Sequence, residues 1–163
     1  MKNRIILILI SIILLVLDNT FSPFIAIGGA WPNFLFVFSI AYSIINGKKE
    51  GIIIGVVAGL LQDIFFCQCF GVNALVNMIS CFVAGKIGDG IWREKKLIPI
   101  ITMFVATISK VLIICIILHF MNQNVDLLRG IKTAIYNSVV MLFSYSIILK
   151  FFEREDMRKA WRF

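Results

Sequence analysis

Apolar positions along this chain come in long blocks, and the polar residues gather between them. Ile5 to Leu17 is an almost unbroken branched aliphatic run, and comparable runs recur to the end of the chain. A helix on the surface of a soluble domain keeps its apolar residues on one stripe. Blocks that are apolar all round therefore predict helices with lipid as their solvent. Six spans fit a hydrocarbon layer of ~30 Å, at residues 4–22, 33–46, 51–69, 71–87, 97–121 and 130–150, with a tail over 151–163. The second is short and opens at Trp31-Pro32-Asn33, where proline suits a first helical turn and tryptophan suits the membrane interface. An uncharged turn around Cys69, Phe70 and Gly71 parts the third from the fourth; fused, they would far exceed one crossing. The expected fold is an all-α polytopic membrane protein, one integral membrane domain over 1–163.

The third span carries Gly51, Gly55, Gly59 and Asp63 at intervals of four. Glycines so spaced share one helix face and admit another helix backbone to backbone, so they mark helix packing or a partner interface. Asp63 lies roughly 18 Å along the helix from Gly51, and Lys110 in the fifth span lies roughly 19 Å from Leu97, at 1.5 Å per residue. Asn77 and Asn137 fall in the same layer. The matched depths predict that Asp63 and Lys110 form an ion pair or share a polar cavity with Asn77. An unpaired charge at that depth costs at least ~2.5–3.5 kcal/mol. Three roles stay open for this layer: fixing helix register, binding a partner helix or lipid head group, or forming a solute path.

Charge fixes the expected orientation. Of 163 residues 60% are hydrophobic, mean hydropathy is +0.97, and net charge is +7. In a soluble protein that charge would raise nucleic acid as a partner. Here the cations sit in short blocks between spans, so no nucleic acid is expected. Thirteen of the sixteen Lys and Arg fall on one side, leaving Arg129 and Lys132 opposite and Lys110 within a span. The positive-inside rule then places both termini in the cytoplasm. Reading Lys2 to Gly28 as a signal peptide would leave five spans and put the basic loops on the wrong sides. The tail mixes both signs with aromatics, as a helix end at an anionic lipid surface does.

Enzymatic chemistry is poorly supplied. Cys67, Cys69, Cys81 and Cys115 show no CxxC spacing and no clustered histidine, so no metal is expected and they read as small apolar fillers. His119 is the only histidine and has no nucleophile placed beside it by spacing. Asp18 and Asp126 sit at outer span edges, so the two membrane aspartates of an intramembrane protease are missing. Gly85 to Gly90 lacks the GK[ST] ending of a phosphate loop. No catalytic residue and no cofactor is expected.

Several pieces taken together carry a likeness. Pro32-Asn33 opens a span, Asn46-Gly47-Lys48-Lys49-Glu50-Gly51 follows, and then come Gly55, Gly59-Leu60-Leu61-Gln62-Asp63 and Gly71-Val72-Asn73-Ala74-Leu75. The ordered series GxxxGxxxGLxxD then GxNAL resembles the rod shape-determining protein MreD family, with Pro32, Asn33, Gly47, Gly71 and Asn73 as motif positions. Asn33 stands where that family often has an acidic residue. The resemblance implies a non-enzymatic scaffold of the bacterial elongation machinery in the cytoplasmic membrane. Its implied partners are the single-span protein MreC, the MreB filament, and the glycosyltransferase and transpeptidase of lateral peptidoglycan synthesis. The six-span plan also resembles the substrate-binding components of energy-coupling-factor vitamin transporters, a fold MreD is thought to share. Those proteins use small residues in span one, which is bulky here.

Overall fold

A computed structural model describes residues 2–65, 70–89, 97–120 and 127–160. Its regular elements are six α-helices: α1 (Lys2–Thr20), α2 (Phe34–Asn46), α3 (Lys48–Phe65), α4 (Val72–Gly88), α5 (Leu97–Phe120) and α6 (Leu127–Ala160). They follow the apolar blocks, with differences at the ends. The first block stops at Thr20 and passes into a 3-10 turn, Ser22–Ile25. The last helix continues to Ala160, so most of the expected tail is helical. The end of the third span and most of the basic loop after Asp89 lie outside the described residues. Two helices, α5 over Leu97–Ile117 and α6 over Leu127–Phe152, are long and apolar enough to cross a membrane.

Helix α2 is the centre of the bundle and packs against every other α-helix. Leu35 through Ile45 are all buried. Its 13 residues measure only roughly 20 Å at 1.5 Å each, too short to cross by itself. The chain before it, Gly28 to Asn33, is non-helical. Side chains of neighbouring segments satisfy its backbone polar groups, as at the Asn33 N–H and the Pro32 carbonyl. The core is built on Phe36, Ile40, Ile44, Met103 and Met141 from three helices.

The glycine stripe is spent inside this bundle, on α4. A Cβ added at Gly51 would stand 2.7 Å from the Cys81 carbonyl oxygen, and one at Gly55 2.7 Å from that of Asn77. At Gly59 it would strike the backbone of Asn73 and Ala74. Asn73, Asn77 and Cys81 are themselves spaced by four, so two antiparallel ridges interlock without side chains between them. Gly85 and Gly88 continue the contact, against Lys48 and against the Ile44 backbone of α2. Gly55→Leu or Gly59→Leu is therefore expected to force α3 from α4 and to remove most folded protein from the membrane fraction, read by immunoblot. Normal accumulation and normal rod shape with either variant would show that the close approach is dispensable.

Candidate functional site: a polar layer in the bundle

Asp63 ends the stripe and holds the start of α4. Its carboxylate accepts the backbone N–H groups of Gly71, Asn73 and Ala74, each at 3.0 Å, and the Asn73 side-chain amide, also at 3.0 Å. Gly71 is the N-cap residue of α4, with φ +94°, a left-handed conformation that glycine adopts without strain. A helix start leaves its first N–H groups without partners. A capping side chain normally meets those of the second and third helical residues, here Asn73 and Ala74. Glycine at the cap has no side chain to do this, so α3 supplies the carboxylate from outside. The anion also lies at the positive end of the helix dipole.

The start of α2 is held the same way. Asp18 accepts the N–H of Phe34 at 2.6 Å and of Leu35 at 3.0 Å. Asn33 is the N-cap and accepts the N–H of Phe36 at 2.8 Å. Pro32 stands one residue before the cap rather than in the first turn, and its carbonyl accepts the Ser22 hydroxyl at 3.0 Å. The amide oxygen of Asn33 thus fills the acceptor role open to a carboxylate at that position. Gly47 ends α2 with φ +84°, its N–H donating to the Ser43 carbonyl and its own carbonyl accepting from Gly51.

Lys110 is buried, and its partners are amides. Its ammonium donates to Gln62 Oε1 at 2.9 Å and to Asn77 Oδ1 at 2.8 Å, with the Phe36 ring centroid 4.6 Å away. Gln62 Oε1 also accepts from the Asn77 amide at 2.9 Å, while Gln62 Nε2 donates to Asn33 Oδ1 at 2.9 Å. Asn137 Oδ1 accepts the Asn33 N–H at 2.9 Å, and its Nδ2 donates to Thr107 Oγ1 at 3.3 Å. One polar layer therefore ties α2, α3, α4, α5 and α6 together.

Asp63 and Lys110, expected to form an ion pair or to share a polar cavity with Asn77, take separate hydrogen-bond partners. The physical reason is that α3 turns Asp63 toward the α4 start, while its neighbour Gln62 faces the lysine. Lys110 and Asn77 are in direct contact, and Asn137 joins them through Asn33 and Gln62. Asp18, Gln62 and Thr107 were not singled out in the sequence as members of this layer. Gln62 carried a signal as a long amide beside the stripe, whereas Thr107 resembles any hydroxyl in an apolar helix. Cys81 is buried and Cys115 half-buried, both free thiols; Cys67 and Cys69 lie outside the described residues. Among the described residues no buried side-chain nitrogen or oxygen lacks a hydrogen-bond partner, and none form a His, Cys, Asp and Glu cluster able to hold a metal.

This arrangement defines a helical bundle whose interior polar groups are occupied in holding helices to one another. The chain belongs to the rod shape-determining protein MreD family, whose model matches residues 2–155. That membership gives it a role in rod shape determination. Comparison with curated proteins and with solved structures gives no significant match.

Proposed function

We propose that the chain is a six-span scaffold in the bacterial cytoplasmic membrane, both termini inside, that binds MreC and through it MreB and the enzymes of lateral wall synthesis. The observation that supports this most is the saturation of the buried polar layer. Gln62, Asn77, Lys110 and Asn137 are engaged with one another or with neighbouring helices, which suits a rigid platform better than a solute path. The outside is apolar, with large exposed residues on α1, α5 and α6, as lipid-facing helices require. Thirteen cations on one side support the orientation.

Affinity purification of the tagged protein from native membranes in mild detergent, with quantitative mass spectrometry, tests the proposal. MreC and the wall-building glycosyltransferase and transpeptidase are expected to be enriched over an untagged control. Enrichment of a coupling membrane subunit with two ATPases, without MreC, would instead make the protein a transporter component.

A further inference from the structure

The helices reach unequal distances to either side of the polar layer. Hydrogen bonds join Asn33, Gln62, Asn77, Lys110 and Asn137 in that layer. From it α3, α5 and α6 run roughly 20 Å to Lys48, Leu97 and Lys150, at 1.5 Å per residue. On the orientation proposed above these positions mark the cytoplasmic boundary. A hydrocarbon layer of ~30 Å then ends roughly 10 Å beyond the polar layer on the outer side. Helices α5 and α6 cover that distance: Phe120 lies roughly 15 Å beyond Lys110, and Leu127 as far beyond Asn137. Helices α1 and α2 fall short of it. Asp18 accepts the first N–H groups of α2, and α1 ends two residues later at Thr20. The connection between them, 21–31, is left to fill the remaining depth.

Contacts with α6 give the depth of this connection. The Tyr136 hydroxyl donates to the Ile25 carbonyl at 2.9 Å. The Lys132 ammonium lies 3.1 Å from where a Cβ on Gly28 would stand. The Arg129 guanidinium lies 3.9 Å from the centroid of the Trp31 ring. These three positions stand roughly 1.5, 7.5 and 12 Å beyond Asn137 along α6. The connection therefore climbs through the outer edge of the hydrocarbon to the level where tryptophan is enriched. Its composition suits lipid. Residues 19–33 carry no charge, and Phe24 and Ile27 are 84% and 68% exposed, while Ser22 and Ala30 are buried on the inner side. Non-helical backbone is excluded from lipid unless protein satisfies its polar groups. Here Ile27 and Ala30 exchange two N–H···O bonds, and Phe21, Phe24 and Ala26 donate to Leu17, Phe21 and Pro23 carbonyls. The Gly28–Gly29 turn stands beside the Lys132 ammonium, whose charge keeps to the polar side of the interface.

We propose that segment 21–31 is a re-entrant foot in the outer leaflet, with Phe24 and Ile27 among the acyl chains and the Gly28–Gly29 turn at the head groups. Its buried side closes over the start of α2, where the two neighbouring helices stop short. Lipid, not water or an external protein domain, is thus the partner of its apolar side. This rests on the membrane orientation of the scaffold reading and on no protein partner.

The test places the photocrosslinking residue p-benzoylphenylalanine at position 24 or 27 of the full chain, where exposure means that no packed group is displaced. Each protein is irradiated in the cell membrane, and adducts are identified by mass spectrometry. The reference is the same residue at 112, where Leu112 is exposed on α5 and lies roughly 3 Å beyond Lys110. Acyl-chain adducts are expected at 24 and 27 with yields within about twofold of that at 112. A tenfold deficit at both, with 112 labelled, would put the segment in water and overturn the proposal. Adducts to another protein in place of lipid would mean that a partner covers the segment, and would overturn it equally. Lack of lipid adducts at 112 as well would overturn the membrane reading on which it rests. Lipid adducts at 24 and 27 in a protein that fails to capture MreC would uphold this inference and defeat the scaffold alone.

Discussion

Asp63→Ala is expected to leave little folded protein in the membrane. The change removes the acceptor for three backbone N–H groups and one amide at a buried site. Each donor left without a partner costs about 1–3 kcal/mol, and loss of an anion from a helix start adds about 0.3–1 kcal/mol. The total is a large share of a typical stability of about 5–15 kcal/mol. Asp63→Asn keeps one acceptor oxygen and should lie between Ala and the unaltered protein. Because Asp63 and Lys110 share no hydrogen-bond partner, combining Asp63→Asn with Lys110→Met should bring no recovery of stability. Thermal unfolding in detergent, with membrane abundance as a second reading, checks the series. Recovery of stability in the double variant would show that a direct ion pair matters more than the cap.

Helix number and type were legible because apolar blocks and the cations between them are strong one-dimensional signals. The glycine stripe was legible too, since spacing by four is a property of one helix. Its counterpart on α4 was harder to see: Asn73, Asn77 and Cys81 are not small enough to advertise a close contact. What they offer Gly51, Gly55 and Gly59 is mainly backbone. The depth argument put Asp63, Lys110 and Asn77 in one layer, and there Lys110 bonds Asn77 and Gln62 rather than Asp63. Depth is one coordinate, and residues 62 and 63 differ by only about 1.5 Å in rise while pointing some 100° apart. Only the direction in which α3 faces α4 and α5 separates the capping carboxylate from the amide that holds the lysine. Asp18 was passed over for a similar reason. At the edge of α1 it looks solvated, yet it is buried against the start of α2, whose first N–H groups it accepts.

Gln62→Leu should be more damaging than Lys110→Met, although it removes a neutral residue and the other removes a charge. Without Gln62 the buried ammonium keeps Asn77 Oδ1 and the Phe36 ring but loses its second oxygen. A buried charge deprived of a partner costs about 3–5 kcal/mol when the break is complete, so a loss of roughly 3 kcal/mol is expected here. Lys110→Met leaves Gln62 and Asn77 bonded to each other and strands only Asn77 Oδ1, at about 1–3 kcal/mol. The two changes together remove the charge along with the group that held it. The double variant should therefore lose less than the sum of the two single losses, by about 2 kcal/mol, a coupling within the range for residues in one network. A thermal-unfolding cycle on the four proteins in the same detergent measures it. Simple addition of the two losses would mean that the lysine does not depend on Gln62, and that the layer is a set of separate contacts and not one network.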